Sequence, residues 1–125
     1  MPKKNKIVLI VEDDEVLLRA LYLKFENLGY TISSATDGDT AVKVAQRILP
    51  DIILLDLILP KMDGFEVLRI LKSDDNTKKI PILVLSNLGA DADMQKAKAL
   101  GALDYLVKSD WHIDEVVEKV KHKLS

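Results

Sequence analysis

The chain has 125 residues, the length of one domain, and its 48% hydrophobic and 30% charged content is that of a folded protein rather than a disordered one. The absence of cysteine excludes disulfide scaffolds and thiolate metal sites, and a net charge of −2 without a basic, aromatic-interleaved stripe argues against direct nucleic-acid binding. The apolar runs fall far short of the ~20 residues of a membrane span, and the first is shorter than a secretory core of ~7, so no membrane insertion and a cytoplasmic location are expected.

One domain is expected over 1–125, with residues 1–5 as a basic arm in which Lys3 and Lys4, followed by Lys6, are solvated. Ile7 to Val11 is the first strand-length apolar run. Leu17, Leu18, Leu21, Phe25 and Leu28 then follow helical spacing, with Gly29 placed for a left-handed cap. Tyr30 to Ala35 alternates large apolar and small polar residues, the pattern of an edge strand, and Asp37 is placed to cap the helix carrying Ala41, Val44, Ala45 and Ile48. Ile52 to Leu55 is a third strand, Phe65, Leu68 and Leu71 a third helical stripe, and Ile82 to Leu85 a fourth strand. Met94, Ala97 and Leu100, closed by Gly101, form the fourth helix; Tyr105 to Val107 is the fifth strand and Ile113, Val116, Val117, Val120 and Leu124 the fifth helix.

Near-continuous apolar strands are buried on both faces, and their alternation with helices predicts an α/β fold: a doubly wound parallel sheet of five strands with five helices. Ligands of such sheets bind beyond the carboxyl ends of the strands. The first strand ends in Glu12, Asp13 and Asp14, the third in Asp56, the fourth in Ser86 and Asn87, the fifth in Lys108 and Ser109. Carboxylates crowded on one rim repel each other unless a cation joins them. All-oxygen donors without His or Cys point to Mg²⁺, with Mn²⁺ as the second choice, and a carboxylate, a cation and an ammonium together suit phosphoryl transfer. Helix capping explains Asp14, Asp37, Asp63 and Asp110 more simply. Asp56 differs, because it interrupts the apolar stretch from Ile52 to Leu59.

The combination of Glu12-Asp13, the run from Asp51 to Gly64 around Asp56, Ser86, Tyr105 and Lys108 resembles the receiver domains of two-component response regulators, over the whole chain. The resemblance implies a strand order 2-1-3-4-5. It makes Asp56 the phosphoacceptor, with Asp13, Asp56 and the Ile58 backbone carbonyl as metal ligands and Glu12 acting through a coordinated water. It makes Lys108 the partner of the phosphoryl group, and Ser86 and Tyr105 the switch pair. A sensor histidine kinase or phosphotransfer protein would be the donor. A downstream protein of unknown identity would read the face of the fourth helix, fifth strand and fifth helix, the chain acting as a monomer or a phosphorylation-dependent dimer rather than as an enzyme. As the chain stops just after the fifth helix, output is expected to pass through another protein, or the chain is a piece of a longer one.

Two positions depart from the pattern: Asn87 stands where a very small residue is favoured, and Ser109 stands where proline commonly forms a cis bond, which costs ~3 kcal/mol without proline. Ile58 and Leu88 are apolar where side chains of this family influence loss of the phosphoryl group, so slow autodephosphorylation is expected. His112 and His122 are read as surface residues, and Trp111 as the anchor of the turn into the last helix. An aspartyl phosphatase of the haloacid dehalogenase type would want a second Asp where Ile58 stands, and a flavodoxin-like carrier would not place Glu12, Asp13 and Asp14 against a flavin phosphate. The alternative that keeps the fold is a protein-interaction module that is not phosphorylated, its site blocked by Asn87.

Overall fold

The computed structural model describes residues 5–125, so Lys3 and Lys4 of the expected basic arm lie outside the described residues, while Lys6 is exposed. Five strands and five helices alternate: β1 (Ile7–Val11), α1 (Glu15–Asn27), β2 (Thr31–Ala35), α2 (Gly38–Ile48), β3 (Ile52–Leu55), α3 (Gly64–Ser73), β4 (Ile82–Ser86), α4 (Asp91–Ala99), β5 (Asp104–Val107) and α5 (Ile113–Leu124), with a 3₁₀ turn at Lys108–Asp110. All pairings are parallel and the sheet runs β2-β1-β3-β4-β5. The order expected from the resemblance is the observed one, and β2 is the polar edge strand. None of the described helices is long and apolar enough to cross a membrane.

Alternation along the strands divides the core into two layers. Leu9, Val11, Ile53, Leu55, Ile82, Val84 and Tyr105 face α2, α3 and α4. Val8, Ile10, Ile52, Leu54, Leu83, Leu85 and Leu106 face α1 and α5, where Leu21, Phe25, Val116, Val117 and Val120 are buried. Met94 and Ala97 belong to the first layer, as core rather than cofactor residues. Each large side chain so buried contributes ~1.5–3 kcal/mol. Phe25 is fully enclosed and meets Tyr30 edge-to-face at 5.9 Å. Tyr30 therefore serves packing just ahead of β2, which begins one residue later than its alternation suggests.

The caps follow local chemistry. Asp14 accepts from the Val16 and Leu17 N–H groups, Asp37 from Thr40 and Asp63 from Glu66, each satisfying orphan donors of a first turn. Gly29 and Gly101 take φ of +92° and +109° after α1 and α4. Asp110 departs from expectation. It is spent in the 3₁₀ turn, and α5 is instead capped at His112, whose N–H donates to the Glu115 carboxylate at 2.9 Å. Two residues of turn between Asp110 and Ile113 move the cap position past the aspartate.

Candidate functional site

Register brings the strand ends level. Val11 pairs with both Ala35 and Leu55, Leu55 with Val84, and Ser86 with Val107. The residues that follow, Glu12, Asp56 and Lys108, thus emerge along one rim with Ser86 as the last residue of β4. Backbone bonds fix the first two: the Glu12 N–H donates to the Ala35 carbonyl and the Asp56 N–H to the Val11 carbonyl, both at 3.0 Å.

Glu12, Asp13 and Asp56 each offer an oxygen within 4.8 Å of the others. Glu12 and Asp56 are only 2% and 4% exposed, whereas Asp13 is exposed. The Lys108 ammonium sits 2.8 Å from Glu12 Oε1 and 2.8 Å from Asp56 Oδ2. The remaining oxygens are engaged as well, Glu12 Oε2 by the Asp14 N–H at 3.0 Å and Asp56 Oδ1 by the Ile58 N–H at 3.1 Å. Pairing Lys108 with Glu12 as well as Asp56 is a feature that sequence reasoning missed, since the two acids lie on different strands.

Electrostatics here are unbalanced. Three carboxylates face one ammonium, and burial raises the Glu12 pKa in spite of its hydrogen bonds to Lys108 and Asp14, with Asp56 adding repulsion. Burial works against the charge of Lys108 too, but its hydrogen bonds to Asp56 and Glu12 outweigh that and hold its pKa above the usual lysine value. The donor set is all oxygen, carries excess negative charge and opens to solvent at Asp13, which fits a hard divalent cation. It is the only such cluster of three among the described residues.

Ser86 and Tyr105 converge on one residue. Ser86 is fully buried and its Oγ accepts from the Leu88 N–H at 3.4 Å, while the Tyr105 hydroxyl donates to the Leu88 carbonyl at 2.6 Å. Burial raises the Tyr105 pKa, with Asp93 and Asp56 adding to it. Leu88 packs against the α2–α3–α4 layer. Its backbone role has no signature in the sequence.

The two positions that depart from the pattern are both placed by the structure. Asn87 is exposed, and the side-chain partners of Asp56 are Ile58 and Lys108 rather than Asn87. There is no cis peptide among the described residues, and the chain after Lys108 turns through the 3₁₀ segment. Ile58 is 52% exposed. His112 and His122 are exposed, and half-buried Trp111 packs on the α1–α5 layer with Lys119 Nζ 5.6 Å from its ring. A groove of about 640 Å³ lies elsewhere, under α5 at the amino ends of the strands, where Ile52, Leu83, Leu103 and Asp104 line it. It takes no part in the acid cluster.

The response regulator receiver domain model matches residues 8–121. Response regulator PleD of Caulobacter vibrioides is 43% identical over 110 residues, covering 88% of this chain and 24% of PleD. The chain likewise spans less than half of the transcriptional regulators RpaA of Synechocystis and PhoP of Bacillus subtilis. Among solved structures, the receiver domain of sensor histidine kinase PA1611 from Pseudomonas aeruginosa, with magnesium in its active-site cleft, superposes with a TM-score of 0.84 at 28% identity, over 95% of this chain and 97% of that one. The Mn²⁺-bound response regulator Rcp1 does so with a TM-score of 0.79 at 31% identity, over 87% and 85%. With the strand order, the acid rim and the lysine already in place, these matches decide the assignment: the chain belongs to the response regulator receiver domains, the signalling switches of two-component systems.

Proposed function

We propose that the chain accepts a phosphoryl group on Asp56 from a phosphohistidine of a sensor histidine kinase or phosphotransfer protein. A carboxylate oxygen of Asp56 bonds to phosphorus as the P–N bond breaks, and the imidazole leaves with the electron pair. Asp13, Asp56 and the Ile58 carbonyl would hold Mg²⁺, or Mn²⁺ in its place, with Glu12 acting through a coordinated water; when bound, the ion would neutralise charge on the transferring group. Relatives with magnesium in the cleft and with bound Mn²⁺ support this reading. Lys108 is held by Glu12 and Asp56 where an ammonium would pair with phosphoryl oxygens. Buried Ser86 would turn from Leu88 to the new dianion, releasing one of the two bonds that fix Leu88 and favouring a second packing of Tyr105. Affinity of the α4–β5–α5 face for a downstream protein then changes, in the cytoplasm and without direct nucleic-acid contact, whether as a monomer or a phosphorylation-dependent dimer.

The observation that carries the proposal is the double pairing of one half-buried ammonium with Glu12 and Asp56 beside the exposed carboxylate of Asp13. Incubation with MgCl₂ and acetyl phosphate, followed by intact mass measurement, tests it. A gain of one phosphoryl group, lost in Asp56→Asn and on chelation, is the expected result. No gain by the wild type would leave an interaction module that is not phosphorylated.

A further inference from the structure

Two loops carry the residues of the cluster, one after β1 with Glu12 and Asp13, the other after β3 with Asp56 and with Ile58, whose carbonyl is a ligand in the function proposed above. Both are fastened to the same short stretch where β2 passes into α2. On one side the Ala35 carbonyl accepts from the Glu12 N–H. Three residues on, the Gly38 N–H donates to the Pro60 carbonyl at 3.3 Å, and the Asp37 carboxylate stands 4.0 Å from Lys61 Nζ.

Gly38 approaches the second loop more closely than any side chain permits. A Cβ at this position would stand 1.9 Å from the Met62 carbonyl oxygen and 2.8 Å from its carbonyl carbon. Those are backbone atoms, so the loop itself would have to move. Gly38 is not among the residues with positive φ, and its requirement is for space rather than for an unusual conformation. The loop has little freedom to yield. The Met62 N–H is bonded to the Pro60 carbonyl at 2.8 Å, Lys61 holds a left-handed φ of +68°, and the Gly64 N–H is bonded to the Leu57 carbonyl at 2.8 Å. Gly64 in turn lies so close to the Leu57 and Asp56 backbone that its own Cβ would fall 2.4 and 2.5 Å from them. A shift imposed at Met62 is therefore passed along the pinned segment to Ile58, whose N–H holds Asp56 Oδ1.

We propose that Gly38 is a positioning residue for the oxygen cluster: the close approach of the β2–α2 junction to the β3–α3 loop sets where the Ile58 carbonyl stands relative to Asp13 and Asp56, and thereby sets affinity for a divalent cation. This rests on the reading that a cation binds there. Residues that only orient metal ligands typically change affinity by 10–100-fold when replaced.

The test is a titration of the ¹⁵N-labelled chain with MgCl₂, followed by NMR, for the wild type, Gly38→Ala and Gly101→Ala. In the wild type the amides of Asp13, Ile58, Gly38 and Met62 move with one shared Kd while Gly101 stays still. Gly38→Ala binds on the order of 10–100-fold more weakly. Gly101→Ala, strained by its φ of +109° at the opposite edge of the sheet, melts earlier yet keeps wild-type affinity. Folded Gly38→Ala with unchanged affinity would overturn the proposal. So would stationary Gly38 and Met62 amides in the magnesium-bound wild type, a result that does not depend on the variant folding. Absence of any magnesium-induced shift at Asp13 and Asp56 would instead remove the phosphoryl-transfer reading, and this inference with it.

Discussion

The Tyr105 hydroxyl and the Leu88 carbonyl, 17 residues apart in sequence, are joined by a 2.6 Å hydrogen bond that ties β5 to the turn between β4 and α4. Tyr105→Phe keeps the ring in the α2–α3–α4 layer and leaves that carbonyl without its donor. Loss of about 1 kcal/mol is expected, read as a lower denaturation midpoint together with faster amide exchange between residues 87 and 90. Identical midpoints and exchange rates would show that the bond contributes nothing.

Lys108→Met leaves Glu12 and Asp56 as buried carboxylates with no ammonium between them. Destabilisation on the order of 3 kcal/mol near neutral pH is expected from breaking such a pairing. The same ammonium competes with a divalent cation for these oxygens, so magnesium should bind Lys108→Met more tightly than the wild type and restore part of its stability. Calorimetric titration decides the matter: weaker binding would mean that Lys108 organises the site more than it competes for it.

Much of this was legible in the sequence because strand-end residues follow the apolar runs directly. Once Ile7 to Val11 and Ile52 to Leu55 are strands, Glu12 and Asp56 have nowhere to lie except the rim. Asp14, Asp37 and Asp63 were legible as caps for a similar reason, each being followed at once by helix. Asp110 was not, because a 3₁₀ turn intervenes and nothing in its composition announces it. Backbone partners were invisible too. The roles of Leu88 and of the Pro60 and Met62 carbonyls belong to groups that every residue possesses, and only the fold selects them.

Ile58 is half exposed, so Ile58→Asn should barely alter stability while placing an amide near the acceptor carboxylate. One added hydrogen bond that orients an attacking water is worth about 1.4 kcal/mol, or tenfold in rate. The phosphorylated lifetime, followed by intact mass after removal of the donor, should therefore shorten by about tenfold. An unchanged lifetime would count against the idea that the apolar side chain slows hydrolysis.

Leu49 closes α2 in the left-handed conformation, with φ of 48° and ψ of 67°, and its side chain is 49% exposed. A branched residue in that region is strained, and glycine relieves the strain at some expense in unfolded-state entropy. Leu49→Gly should raise stability by ~0.5–1 kcal/mol, detectable as a higher melting temperature. A lower one would indicate that the exposed leucine contributes more packing than its surroundings suggest.

Asp104 and Lys119 join β5 to α5 at 2.8 Å. Partial burial works against the carboxylate charge, but the hydrogen bonds from Lys119 and the Tyr105 N–H, with the charges of Lys119 and Lys98, outweigh it and hold the pKa below the ordinary 3.8. A carboxyl with a depressed folded-state pKa contributes its stability above the unfolded value and loses it as pH falls through the folded one. Both partners are more than a third exposed, which limits the pair to about 0.5 kcal/mol. Asp104→Asn should thus be slightly less stable than the wild type at pH 7, with the difference shrinking as pH drops below 3.8. Denaturant midpoints of the two proteins at pH 7 and at progressively lower pH measure it, and a gap that stayed constant into acid would assign the effect to packing rather than to charge.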